Sequence, residues 1–366
     1  MRSYKRYTVA VSAAVSLLTA MIPLTSSADN PIVQTIYTAD GAPMLYNDTF
    51  YMFTGRDEDN ADYFTMNEWR CYSSTDMKNW TDLGVPLTYK TFSWSTGEAW
   101  ASQCIERNGK FYFYVTVTTQ TGGHAIGVAV ADSPEGPYTD PIGKPLAGPN
   151  WSYIDPTVFI DDDGQAYLYW GNGGLWYVKL NEDMISYQGS PIAVDVKSGA
   201  FGKAYTEAPY LYKHGDWYYM VYAADGVPEN IAYSMSKSPK GPWEYKGIIM
   251  PKGGNSFTNQ PSIIDYKGRS YFTYHTGTLP KGGSGALFNM DWWQFCNSDT
   301  PIQTASDRLM TGLSVKDIEN ASDWSVQKNF KTGVNVYGDR DITVGFAVLM
   351  GIMGAGLIRK SRKTDE

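Results

Sequence analysis

Cysteine is scarce in this chain, cationic excess is absent, and no long amphipathic helix can be drawn through its 366 residues. Cys71, Cys104 and Cys296 are the only cysteines, too widely spaced for a metal or redox motif; one disulfide at most can form, and one thiol is left over. Cys71 and Cys104 fall in apolar, strand-like runs and read as buried small hydrophobes. A formal net charge of −8 with no basic stripe excludes nucleic acid as a partner. Histidine is equally sparse, and His124 and His214 read as loop residues. What the chain has in abundance is aromatic: 28 Tyr, 12 Trp and 14 Phe. Strand interiors need such rings, and so do clefts that stack on sugars. With 43% hydrophobic residues there is material for one large all-β core.

The two ends differ from the middle. Arg2, Lys5 and Arg6 precede an apolar run over 9–24, and Ser26-Ser27-Ala28 offers small residues for cleavage before Asp29, the pattern of a secretory signal peptide over 1–28. From 305 to 341 the chain turns polar and reads as a spacer. Residues 342–358 form an uncharged run of 17, at the short limit for crossing a bilayer, and a basic tail follows over 359–366. Just upstream, Asn329-Phe330-Lys331-Thr332-Gly333 resembles the Leu-Pro-x-Thr-Gly wall-sorting signal of Gram-positive bacteria, with Asn for Leu and Phe for Pro. These ends predict a secreted protein retained at the surface of a Gram-positive bacterium, anchored in its membrane or its cell wall.

Between the ends, five apolar strands run into a polar turn and out into an aromatic strand. The turns are centred on Asp48, Gly109, Gly164, Gly215 and Gly268, at steps of 61, 55, 51 and 53 residues. Repeats of that length built of short strands predict a five-bladed β-propeller over 29–304. A second element recurs at Ser73-Ser74-Thr75-Asp76, Ala131-Asp132-Ser133-Pro134 and Ser236-Lys237-Ser238-Pro239. The first continues to Asn79-Trp80; the other two end in Gly-Pro-aromatic, turn chemistry suited to joining the outer strands of a blade. Asp161-Asp162-Asp163-Gly164 lacks the further ligands of a calcium loop and reads as an acidic hairpin tip.

Eight or nine residues before each turn stand Asp40, Ala101, Asp155, Glu207 and Gln260. In a propeller these positions converge at one end of the central axis, and three of the five are acids. Asp commonly caps turns at strand starts, so any single one is weak. Three at matched positions, each with a proline within three residues, point to an active site. Asp155 lies one residue further from its turn, which on a strand of period two flips its face unless a bulge or the Asp-Pro bend re-aims it.

The motifs Tyr37-Thr38-Ala39-Asp40-Gly41-Ala42-Pro43, Trp100-Ala101-Ser102-Gln103-Cys104, Ile154-Asp155-Pro156-Thr157 and Tyr205-Thr206-Glu207-Ala208-Pro209, in this order, resemble glycoside hydrolase family 43. The resemblance implies a five-bladed propeller that cleaves α-L-arabinofuranosyl or β-D-xylosyl linkages of plant arabinoxylan, arabinan or xylan with inversion. It implies Asp40 as general base, Glu207 as general acid, and Asp155 as the residue that orients Glu207 and raises its pKa. Inversion requires acid and base carboxyls about 6.5–9.5 Å apart, leaving room for water. Trp100, Gln260 and His275 are expected at the sugar. No cofactor is required, although a structural calcium could be held by His275 through water. Related fructan-cleaving propellers are disfavoured, because their Arg-Asp-Pro and Glu-Cys motifs are absent.

The chain also departs from that family. Thr258-Asn259-Gln260-Pro261 replaces a His-bearing run, Ala208 stands where Gly is usual, and the Gly-rich segment 281–288 lacks the arginine usually near the sugar. Residues 289–299 fit a closing strand poorly. The alternative reading is a surface carbohydrate-binding propeller with impaired catalysis.

Overall fold

In the computed structural model the described residues are 30–33, 36–58, 64–197, 199–252, 258–276 and 300–304. The polar turns act as the sequence predicts. Asn47 and Asp48 (φ 48° and 57°), Asn108 and Gly109 (55° and 76°), and Lys267 and Gly268 (50° and 76°) are left-handed pairs. That backbone matches the twist of a two-residue hairpin, which is why Asn, Asp and Gly recur there. Each turn joins the first two long strands of a sheet.

After β1 (Asn30–Pro31), the first blade is β2 (Thr38–Tyr46), β3 (Thr49–Asp57), β4 (Met66–Ser74) and β5 (Thr81–Thr88). The second is β6 (Ser95–Gly97), β7 (Ser102–Arg107), β8 (Lys110–Thr119) and β9 (His124–Ala131). The third is β10 (Thr157–Ile160), β11 (Ala166–Trp170), β12 (Leu175–Lys179) and β13 (Ile192–Val194). The fourth is β14 (Tyr205–His214), β15 (Trp217–Ala224), β16 (Asn230–Ser236) and β17 (Glu244–Met250). The fifth is β18 (Ser262–Tyr266), β19 (Arg269–Thr276) and β20 (Thr300–Thr304). β1 pairs with β20 as the outermost strand of that last sheet, Asn30 opposite Thr304. The chain's first described strand thus closes its last blade, and the architecture is the five-bladed β-propeller that the repeats predict.

The core lies between blades. Phe53 and Phe113, from neighbouring sheets, meet edge to face at 5.0 Å, and Trp69 packs beside them. All seven residues of β16 are buried. Hydrogen bonds between first strands tie the second blade to the third, the third to the fourth and the fifth to the first. Val158 N–H donates to Gln103 (2.9 Å), Leu211 N–H to Thr157 (3.3 Å), and the Ser262 hydroxyl to the Gly41 carbonyl (2.7 Å). Buried polar groups paired in this way fix the rotation of one blade against another.

The recurring Gly-Pro turn joins β16 to β17, with Gly241 at φ 87°. In the second blade the same turn brings Thr139 back onto Val130. Cys71 and Cys104 are unpaired, buried thiols, and Cys296 lies outside the described residues. The acidic tip is a hairpin turn in which Asp161 and Asp162 each hold the Lys213 ammonium at 2.7 Å. His124 departs from the sequence reading: it opens β9 and is buried between Trp100 and Trp151. His214 ends β14, 3.3 Å from Asp265. Among the described residues no helix is long and apolar enough to cross a membrane. The leader, the spacer, the 342–358 run and the 281–299 segment lie outside the described residues.

Candidate active site

The three acids come together through unusual backbone. Asp40 has φ 58°, at a bulge in β2 between Ala39 and Ala42. Asp155 has φ 59°, immediately before Pro156 and β10. Glu207 lies in β14 between two breaks of register, and Ala208 after it has φ 56°. Left-handed backbone costs a non-glycine residue roughly 1–2 kcal/mol, and such strain concentrates at functional sites. It also answers the one-residue offset of Asp155: the left-handed turn before Pro156 re-aims its side chain. The glycine that the resemblance leads one to expect at 208 would suit this positive φ, and Ala208 accepts the strain instead.

Asp155 is 6% exposed. Its N–H donates to Thr116 Oγ1 at 2.9 Å, and its Oδ2 accepts the Ala208 N–H at 3.0 Å. It therefore holds the peptide next to Glu207. Burial, reinforced by the charges of Glu207 and Asp40, pushes its pKa well above the usual carboxylate range. Burial is also the main reason that the Glu207 pKa is raised; hydrogen bonds from Asn172 and Glu229 pull it down, and the Asp40 charge raises it. The repulsion between Glu207 and Asp155 is mutual, so each carboxyl favours the protonated form of the other, and the Asp40 charge adds to both. The Asp40 N–H faces His275 Nδ1 at 3.4 Å, and the same nitrogen lies 3.8 Å from Asp40 Oδ1. His275, on β19, is 1% exposed, and its carbonyl accepts the Asn259 amide at 3.3 Å.

Trp100 is half-buried on the second blade. Its indole N–H donates to the Phe64 carbonyl at 3.0 Å, and its ring lies 4.7 Å from that of His124. Behind it, Glu98 accepts from Thr118 and stands 3.5 Å from His124 Nδ1. Gln260 is buried just before β18. Among the described residues no group of three or more His, Cys, Asp or Glu side chains is arranged to hold a metal ion.

Sequence spacing missed three residues of this site. Asn172, between β11 and β12, donates to Glu207 Oε2. Trp151 is 67% exposed, with its ring 5.0 Å from His124. Glu229 is a fourth carboxyl, 2% exposed, whose charge and that of Glu207 act on each other. An acid two residues before the apolar run Ile231-Ala232-Tyr233 was the available signal for the last.

The family model described as Glycosyl hydrolases family 43 matches residues 28–292. Xylosidase/arabinosidase 43A of Humicola insolens is 30% identical over 312 residues, covering 69% of this chain and 91% of that protein. Arabinoxylan arabinofuranohydrolase of Bacillus subtilis is 33% identical over 316 residues, 71% of this chain but 59% of that protein. A solved β-xylosidase/α-arabinofuranosidase from a compost microbial metagenome, in complex with xylotriose, superposes with a TM-score of 0.66. It is 25% identical, and the match covers 76% of this chain and 94% of that one.

Proposed function

Given that the chain belongs to glycosyl hydrolases family 43, we propose that it hydrolyses α-L-arabinofuranosyl or β-D-xylosyl linkages of arabinoxylan-type hemicellulose with inversion. It is an O-glycosyl hydrolase. The observation that carries the mechanism is the pairing of a buried acid of raised pKa, Glu207, with the charge of Asp40 on a different blade. Asp40 takes a proton from water as the water oxygen attacks the anomeric carbon. Glu207 gives its proton to the glycosidic oxygen as that bond breaks. Asp155 orients Glu207 by gripping the Ala208 amide. His275 fixes the backbone of Asp40. No cofactor enters these steps.

The test is proton NMR of arabinoxylan and xylo-oligosaccharide digests. Free arabinose or xylose whose first-formed anomer is inverted supports the proposal; a retained anomer overturns it. Trp151 offers an exposed indole face beside the Trp100–His124 wall, suited to stacking on a polysaccharide chain. Trp151→Ala is expected to raise KM for arabinoxylan about tenfold, the worth of one stacking contact of about 1.4 kcal/mol. Its KM for a 4-nitrophenyl glycoside should stay near wild type, and equal shifts on both substrates would sink this role. We also place the enzyme outside the cell, on the basis of the leader over 1–28 and the anchor-like residues 329–366. Fractionation of the producing cells checks that location.

A further inference from the structure

Glu229 belongs to none of the first strands that supply the expected acids, yet it reaches the same site. It precedes β16, the third strand of the fourth blade, and is 2% exposed. Its Oε2 accepts the Asn259 backbone N–H at 2.8 Å, while its Oε1 is buried and receives no donor. Its carboxyl lies within reach of that of Glu207, so that the two act on each other's proton. Two buried carboxyls that repel each other do not both ionise, so one of the pair carries a proton. A proton that Glu207 spent on Glu229 would be lost to the glycosidic oxygen. If Glu229 is the donor, the proton of Glu207 stays free for substrate.

We propose that Glu229 is a positioning residue for the general acid: a neutral carboxyl whose O–H donates to Glu207 and stabilises the carboxylate that Glu207 becomes. The inference rests on reading Glu207 as that acid. The proton of Glu207 passes to the leaving oxygen, and the proton of Glu229 remains on Glu229. As Glu207 becomes anionic, the bond between them turns charge-assisted and roughly doubles in strength. An interaction that strengthens only as the proton departs lowers the barrier rather than KM. The groups facing Glu229 are Glu207 and Tyr205 on β14, Asp155 on the third blade and the Asn259 amide on the fifth. Asp40 and His275 act on Glu207 beyond it. Burial first, then the charges of Glu207 and Asp155, favour the protonated form of Glu229.

The experiment compares wild type, E229Q and E229M on an arabinoxylan oligosaccharide and on a 4-nitrophenyl glycoside, whose leaving group needs little protonation. Glutamine can accept from Asn259 and still donate to Glu207; methionine fills the volume without a donor. E229M is expected to lose about 10–100-fold in kcat on the oligosaccharide, the worth of one hydrogen bond to a charged group. It should lose less than about threefold on the 4-nitrophenyl substrate, with KM unchanged and the alkaline limb of kcat/KM moved to higher pH. E229Q should restore oligosaccharide turnover. Equal losses in both variants on both substrates, or wild-type turnover in E229M, would overturn the proposal. If E229M does not fold, E229Q decides alone, since retained oligosaccharide turnover supports the donor and a uniform loss refutes it. The reading of Glu207 itself fails separately, if Glu207→Gln turns over the oligosaccharide at the wild-type rate.

Discussion

Glu207→Gln is expected to lower kcat on arabinoxylan oligosaccharides by about 10³–10⁴-fold, the upper range for removal of a general acid. Glutamine keeps the acceptor for Asn172, so the fold around the site should survive while the transferable proton is gone. The loss should shrink steeply on 4-nitrophenyl glycosides, because a good leaving group departs without protonation. Asp40→Asn should behave differently. Water is not activated whatever the leaving group, so both substrates should lose activity alike, again by about 10³-fold. This contrast assigns the roles, since a damaged fold would not discriminate between leaving groups. Parallel kinetics of the two variants on both substrates check it, and a leaving-group effect in Asp40→Asn but not in Glu207→Gln would reverse the assignment. The pH profile adds a second signature. The raised pKa of Glu207 keeps the acid protonated to higher pH than an ordinary carboxyl, so activity should persist above the usual carboxylate range and fall as Glu207 ionises.

Local chemistry is why so much of the fold was legible in the sequence. Asn47-Asp48, Asn108-Gly109 and Lys267-Gly268 can only be turns, and their spacing counts the blades. Asp40, Asp155 and Glu207 were legible for the same reason, because each stands near the start of a first strand. What spacing could not show depends on backbone and on other strands. The offset of Asp155 is absorbed by a left-handed φ of 59°, which no count along the chain reveals. Glu229 arrives from a third strand, outside the repeat position that flagged the others. His124 looked like a loop residue among glycines, yet Trp100 and Trp151 enclose it. The charges around Glu207 are likewise a property of the assembled site, brought by Asp40 and Asp155 from two other blades.

Asp155→Asn should separate stability from activity. The wild-type carboxyl is buried beside Glu207 and Asp40, and its folded-state pKa lies well above the unfolded value of about 3.9. Between those two values the native chain binds more protons than the unfolded chain, so stability falls as pH rises. The contribution is fully present below the unfolded pKa and is lost as pH climbs through the folded one. Asparagine does not titrate, and its carbonyl oxygen can still accept the Ala208 N–H now held at 3.0 Å. The variant should therefore melt above wild type at pH 8, with a gap that narrows toward pH 4. For a large domain, each kcal/mol corresponds to about 2–4 °C. Thermal melts across that range test the sign, and a gap that ignores pH, or widens on acidification, would refute it. The same substitution should cost about 10²-fold or more in kcat, because asparagine keeps the grip on Ala208 but removes the carboxyl whose electrostatic interaction with Glu207 tunes the acid. A variant that gains stability while losing rate means that burying these carboxyls serves the chemistry at the expense of the fold. Glu229, raised in pKa by the same burial and by Glu207, should add to the alkaline loss with the same sign, so E229Q combined with Asp155→Asn is expected to flatten the pH dependence further than either alone.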